Sequence, residues 1–217
     1  MRNYIQVLSE VHNILQPDNY VEVGVDEGIS LLQALPKTKC FGVDPDPQVT
    51  NFPKHIELFI STSDDFFKKD VSSLLNKPLD FAFIDGNHLF DFVVRDFYNL
   101  EKLAKPDSVI ALHDVIPANA ETSTRHFAGR GHYWTGDVWK FLFILNEYRP
   151  DLKVTVVNTP PSGLGIITNL NPNSTVLMDN YETIVDKYME KTFDCWDPTA
   201  INIVFDTEEN LKKAIKV

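Results

Sequence analysis

Apolar positions along the first half of the chain fall into two alternating patterns. Residues Tyr4 to Leu15 carry Ile5, Leu8, Val11, Ile14 and Leu15 at helical spacing and stop before Pro17, which predicts an amphipathic helix. Short apolar runs with little polar alternation follow at Tyr20 to Val23, Cys40 to Val43, Ile56 to Ile60, Asp80 to Ile84 and Ser108 to Leu112. Strands covered on both faces have this pattern, because neither side of the pleat meets water. Helical patterns over Ser30 to Leu35, Asp64 to Leu75 and Phe90 to Leu103 separate the runs, and such a β-α-β-α series predicts a parallel sheet with right-handed crossovers. Val138 to Tyr148 is expected to be helical, with Trp139, Leu142, Phe143 and Leu145 turned inward. Lys153 to Val157 and Leu164 to Thr168 are expected to form a hairpin across "NTPPSG" on one edge of the sheet. From Asn171 onward the pattern weakens to a helix at Tyr181 to Lys191, a short strand at Asn202 to Phe205 and a helix at Glu208 to Lys216.

Together these elements predict an α/β fold: a Rossmann-like, doubly wound, mostly parallel seven-stranded sheet with an antiparallel edge hairpin and a C-terminal extension. The 43% hydrophobic content of the 217 residues is enough for one real core. A formal charge of −11 argues against nucleic acid or an anionic membrane as partner, since phosphate-rich surfaces need clustered Lys and Arg. The expected partner is a small-molecule substrate, with pairing of two copies left open. Cys40 and Cys195 stand far apart in no metal-like pair, and no segment has the continuous apolar length of a signal peptide or a membrane span. A reducing, cytoplasmic location is expected.

The stretch "YVEVGVDEGIS" breaks a strand at Gly24 and Gly28. In a doubly wound sheet ligands sit at the carboxyl ends of the strands, and a missing side chain there lets the backbone approach one closely. Asp44 ends the next strand about 20 residues on, where an acidic side chain can accept from both hydroxyls of a ribose. A dinucleotide fold wants G-x-G-x-x-G around its pyrophosphate, whereas Asp26 and Glu27 occupy this turn. Two carboxylates repel a pyrophosphate but tolerate an amino group and a sulfonium, which favours S-adenosylmethionine over NAD.

Glu22-Val-Gly24-Val-Asp-Glu-Gly28-Ile-Ser30, Asp44, "DFAFIDGNH" (Asp80 to His88) and "SVIALHDV" (Ser108 to Val115) resemble class I S-adenosylmethionine-dependent methyltransferases of the methyltransferase-24 kind, related to macrocin-type and catechol-type O-methyltransferases. The resemblance covers roughly Tyr20 to Leu170 and implies a methyltransferase domain over residues 1–170, including the N-terminal helix. Residues 171–217 are then an α/β extension packing on the domain or on a partner subunit. By the resemblance, Glu22 and Gly24 hold the methionine end of the cofactor, with Gly28 and Ser30 in the same motif. Asp44 holds the ribose, and Ser63 or Asp64 lies beside the adenine.

Asp85 and His88 end the fourth strand, and His113 and Asp114 end the fifth. Asp85, His113 and Asp114 make a partial shell for a divalent cation such as Mg²⁺. Catechol-type relatives hold a metal with an aspartate and an Asp-Asn pair, and use a lysine base three positions after the first aspartate. This chain places His88 at that lysine position, so His88 is the expected general base beside Asp85. The polar, aromatic stretch Ile116 to Lys140 offers Arg125, His126, Arg130, His132, Tyr133 and Trp134 as acceptor contacts. Its local positive charge suggests a polar or anionic acceptor such as a sugar. The leading expectation is an O-methyltransferase; an NAD-dependent oxidoreductase or epimerase, and a non-catalytic cofactor-binding protein, are the alternatives.

Overall fold

The computed structural model of the chain describes residues 1–127, 129 and 132–216. Its strands are β1 (Asn19–Val23), β2 (Lys39–Asp44), β3 (Ile56–Ile60), β4 (Leu79–Ile84), β5 (Ala104–His113), β6 (Lys153–Asn158), β7 (Leu164–Thr168) and β8 (Ile203–Phe205). They form one sheet in the order β3-β2-β1-β4-β5-β7-β6-β8. Among these strands β7 alone runs antiparallel to its neighbours, β5 and β6. The chain winds outward from β1 to β3 on one side and restarts at β4 on the other. The strand order therefore reverses between β1 and β4, where a crevice opens at the carboxyl ends.

The helices are α1 (Tyr4–Leu15), α2 (Ser63–Phe66), α3 (Val71–Leu75), α4 (Phe90–Leu103), α5 (Lys140–Tyr148), α6 (Val176–Asp179), α7 (Tyr181–Met189) and α8 (Glu208–Ile215). The two-residue period of the strands sends alternate side chains into separate cores. Val21, Val23, Ala82 and Ile84 meet Phe90, Val93, Val94 and Phe97 of α4 on one face. Tyr20, Phe81 and Phe83 meet Val7, Leu8 and Val11 of α1 and Leu211, Ala214 and Ile215 of α8 on the other.

Among the described residues the sheet has eight strands rather than seven, because the short C-terminal strand pairs in parallel with β6. The helix expected at Ser30 to Leu35 is only a 3-10 turn, Leu31–Gln33. Ala34 is already extended (φ −61°, ψ 139°), and Leu35 precedes Pro36, a position that disfavours helical backbone. The helix expected over Asp64 to Leu75 is two helices, since Asp70 accepts from the Ser73 amide (3.1 Å) and starts α3 afresh. Helix α1 has the expected bounds but buries Val7, Leu8, Val11 and His12, so its inward stripe is turned toward the imidazole.

Candidate functional site

A cleft of ≈ 1070 Å³ opens where the strand order reverses. It runs from Thr62, Ser63 and Asp64 after β3, past Asp44 and Gly24, to Asp85, His88, His113 and Asp114. Gly24 has φ +88°, and a Cβ there would stand 2.0 Å from the Asp85 carbonyl oxygen. Its bare backbone is therefore required where the ends of β1 and β4 touch.

Glu22, Gly28 and Ser30 lie behind this cleft rather than on its wall. Period two puts Glu22 on the Tyr20 face of β1, where it is fully buried. Its carboxyl accepts from Tyr20 Oη (2.5 Å) and Ser30 Oγ (2.6 Å). Burial pushes its pKa up to about 8, although those two hydrogen bonds pull the other way. Gly28 (φ +73°) leaves room for the Phe52 ring, which a Cβ would meet at 2.7 Å.

Asp44 is on the wall, but much of its carboxylate serves the turn. Oδ2 accepts from the amides of Val25 (2.8 Å) and Asp26 (3.0 Å), and Oδ1 from that of Asp46 (2.8 Å). With about two acceptor positions on each oxygen, Oδ1 retains capacity for a ligand hydroxyl. Asp64 faces the same cleft with both oxygens on Arg95, which donates from Nε (3.0 Å) and Nη2 (2.9 Å). Arg95 also donates to the Tyr181 hydroxyl and stacks on Phe92, so α7 supports this end of the cleft.

At the other end four ionisable side chains meet in a ring. Asp85 Oδ1 lies 3.2 Å from His113 Nδ1 and 3.3 Å from His88 Nε2. Asp114 Oδ2 lies 3.1 Å from His88 Nδ1 and 3.5 Å from His113 Nδ1. These are ion-pair distances without hydrogen-bond alignment for Asp114 Oδ2, which is buried and has no hydrogen-bond partner among the described residues. Ser162 Oγ, from the β6–β7 turn, donates to Asp114 Oδ1 (2.5 Å) and lies 3.2 Å from His113 Nε2. The Tyr4 ring stacks on His113 with centroids 3.9 Å apart, and Trp134 stacks on His88 at 5.2 Å.

Burial alone would lower both histidines, but the two carboxylates outweigh it. His88 is pushed up to about 9 and His113 to about 10. The imidazoliums in turn hold Asp85 below the ordinary carboxylate range, against the upward push of burial. His88 (φ 58°) and Asp114 (φ 59°) both have left-handed backbone, which costs non-glycine residues about 1–2 kcal/mol and here aims both side chains into the ring.

Asp85, His113 and Asp114 each offer a ligand atom, all within 4.8 Å of one another. The donor types suit a divalent cation, and the orphaned Asp114 oxygen is an unused ligand position. Of the acceptor-loop candidates, His132, Tyr133 and Trp134 line the cleft, and His126 does not. Arg125 lines it too, but its guanidinium is bound to Asp91 (2.8 Å) and Asp137 (3.1 Å), so its charge is already neutralised. Arg130 lies outside the described residues.

Tyr4 and Ser162 gave no local signal, since each reaches the ring through the fold. Tyr4 is fixed there by its own amide on the Pro160 carbonyl (3.1 Å) and by Thr159 Oγ donating to the Arg2 carbonyl (2.6 Å). Asp96, also on the cleft wall, did leave a trace, as a polar residue on the apolar stripe of α4.

Residues 21–115 match the family model described as a methyltransferase domain. The chain carries a methyltransferase domain. No curated protein matches the chain in sequence. Solved structures share the domain's fold. The O-methyltransferase from Bacillus cereus, in complex with SAH, is 16% identical with a TM-score of 0.54, covering 76% of this chain and 79% of that one. TomG, the O-methyltransferase from Streptomyces achromogenes involved in tomaymycin synthesis, in complex with SAM, is 16% identical with a TM-score of 0.56, covering 77% and 80%. MycE, the methyltransferase of the mycinamycin pathway, in complex with Mg and SAH, is 15% identical with a TM-score of 0.52, covering 79% of this chain and 49% of that one. The matched residues run from β1 to the end of β5, the strands whose carboxyl ends build the cleft described above.

Proposed function

We propose that this chain is an S-adenosylmethionine-dependent O-methyltransferase acting on a hydroxyl of a small polar metabolite, with a divalent cation at the Asp85, His113, Asp114 cluster. The observation that carries it is the cleft itself: bare backbone at Gly24, a carboxylate at Asp44 and an acid-imidazole ring share one wall. The fold's likeness to structures holding SAM or SAH supports the cofactor, and MycE with its Mg supports the cation. A dinucleotide is disfavoured by two features. Asp26 and Glu27 line the cleft beside Gly24, and the turn leads into three residues of 3-10 helix rather than a helix whose N-terminus could bind a pyrophosphate.

The sulfonium of the bound cofactor supplies an already activated methyl carbon, so the protein's work is alignment and exclusion of water. Gly24 lets the cofactor approach β1, Asp44 Oδ1 takes a ribose hydroxyl, and Tyr133 and Trp134 wall the acceptor side. At neutral pH the metal-free ring keeps its proton on His88, because two carboxylates face it. A divalent cation at Asp85, His113 and Asp114 would supply the positive charge the imidazoliums now provide and acidify the acceptor hydroxyl, leaving His88 to accept its proton.

Two free cysteines, Cys40 buried and Cys195 exposed, support a reducing compartment, and we assign the protein to the cytoplasm. No helix among the described residues is long and apolar enough to cross a membrane. The function is tested by incubating the protein with methyl-labelled S-adenosylmethionine and a panel of hydroxylated metabolites, with Mg²⁺ or with chelator. Label transfer to an oxygen is expected. Binding of NAD with no binding of S-adenosylmethionine would refute the reading.

A further inference from the structure

The cleft wall by Ser63 and Gly86 carries two carboxyl groups, Asp64 and Asp96, and the structure treats them differently. Asp64 gives one acceptor position on each oxygen to Arg95, whose guanidinium also neutralises its charge. Asp96, on α4, is only 4% exposed and lines the cleft, yet no cation pairs with it and no backbone amide donates to it among the described residues. Its hydrogen-bonding neighbour is the hydroxyl of Ser63, and its Oδ2 lies 3.9 Å from where a Cβ on Gly86 would stand. A buried carboxyl with so few partners costs several kcal/mol unless something else satisfies it.

The order of the strand ends says what would. With the sulfur end over Gly24 and the ribose at Asp44, the base of the nucleoside falls on the β3 side, between Ser63 and α4. We propose that Asp96, not Asp64, is the residue that selects a 6-amino purine, its carboxyl accepting the exocyclic N–H of the cofactor's adenine. This rests on the cofactor reading above and adds to it the contact that distinguishes one nucleobase from another. Burial raises the Asp96 pKa to about 7, so near neutrality part of the population also carries a proton to donate to the ring nitrogen beside the amino group. A 6-oxo purine presents an acceptor and a donor in the reverse order. At pH 8.5, where the carboxylate form dominates, it places oxygen against oxygen.

The test is calorimetric titration at pH 8.5 with S-adenosylhomocysteine and with S-inosylhomocysteine, the same molecule with a 6-oxo base. The wild-type protein should prefer the adenosyl ligand at least tenfold, the usual discrimination of one well-placed hydrogen-bonding contact. Asp96→Asn is nearly isosteric, and its amide can turn to face either base, so the preference should fall to within about twofold while the unfolding midpoint stays close to wild type. Equal affinity of the wild type for both ligands, or an unchanged preference in Asp96→Asn, would overturn the assignment of Asp96 and leave the cofactor reading standing. If the wild type binds neither ligand, the cofactor reading itself fails and this assignment with it.

Discussion

Replacing Glu22 by glutamine should make the protein more stable in alkaline solution and slightly less stable in acid. Glu22 is sealed between Tyr20 and Ser30 on β1, and burial lifts its pKa from the ordinary 4.5 to about 8. Below pH 4.5 both the folded and the unfolded chain hold the proton, and there is no pH-dependent cost. Between 4.5 and 8 the unfolded chain releases the proton while the folded chain keeps it, so stability falls as pH rises through that window. At about 1.4 kcal/mol for each pH unit between the two values, the ceiling is roughly 5 kcal/mol, and local loosening should reduce the realised loss to about 2–3 kcal/mol. Glutamine has the same shape and no ionisation, but one amide N–H is left without a partner, at about 1 kcal/mol. Urea unfolding of both proteins at pH 5, 7 and 9 should show the stability difference change sign, with Glu22→Gln about 1 kcal/mol weaker at pH 5 and about 1–2 kcal/mol stronger at pH 9. Two stability profiles running parallel from pH 5 to 9 would refute the reasoning, because every other titrating group is common to both proteins.

His12 gives the mirror image: burial lowers its pKa to about 4, and both ring nitrogens lack partners among the described residues. Stability should fall as pH drops from 6.5 toward 4, and His12→Phe, which keeps the edge-on contacts to Tyr20 and Phe81, should flatten that limb in the same urea assay. Gly24→Ala sets a Cβ 2.0 Å from a backbone oxygen at φ +88°, so it should lower the melting temperature, costing at least about 2 kcal/mol, and weaken S-adenosylmethionine binding more than tenfold by displacing Asp85. An unchanged melting temperature would show that the ends of β1 and β4 are not in contact. Cation binding must displace protons from His88 and His113, so Mn²⁺ affinity measured by calorimetry should rise from pH 6 to 8, and Asp85→Asn should abolish it.

The bounds of α1 and α4 were legible to the residue, because apolar spacing against a sheet survives in the sequence, but the face α1 buries includes Val7 and His12 in place of Ile5, Ile14 and Leu15. Most strands read to within a residue, since burial on both faces of the sheet removes polar alternation, but β5 starts at Ala104 rather than Ser108, its opening stretch being partly exposed. The helix after β1 misled because Ser30 to Leu35 has the right apolar residues, while Pro36 and the short span force a 3-10 turn. Asp85, His113 and Asp114 could be brought together from strand ends alone, as parallel strands deliver their last residues to one edge. Tyr4 and Ser162 could not, because their approach depends on how the N-terminus and the β6–β7 turn fold back over that edge. The inward turn of Glu22 follows from its parity with Tyr20. The neutralisation of Arg125 by Asp91 and Asp137 is a matter of tertiary geometry that no spacing records.

The most direct measurement is calorimetric titration of S-adenosylhomocysteine into the wild-type protein and into Asp44→Ala. A single site of micromolar affinity or better is predicted for the wild type. Loss of a charge-assisted hydrogen bond to the ribose should weaken it about ten- to a hundredfold in the variant. No heat of binding to the wild type, or equal affinity in the two proteins, would contradict a nucleoside seated between Gly24 and Asp44.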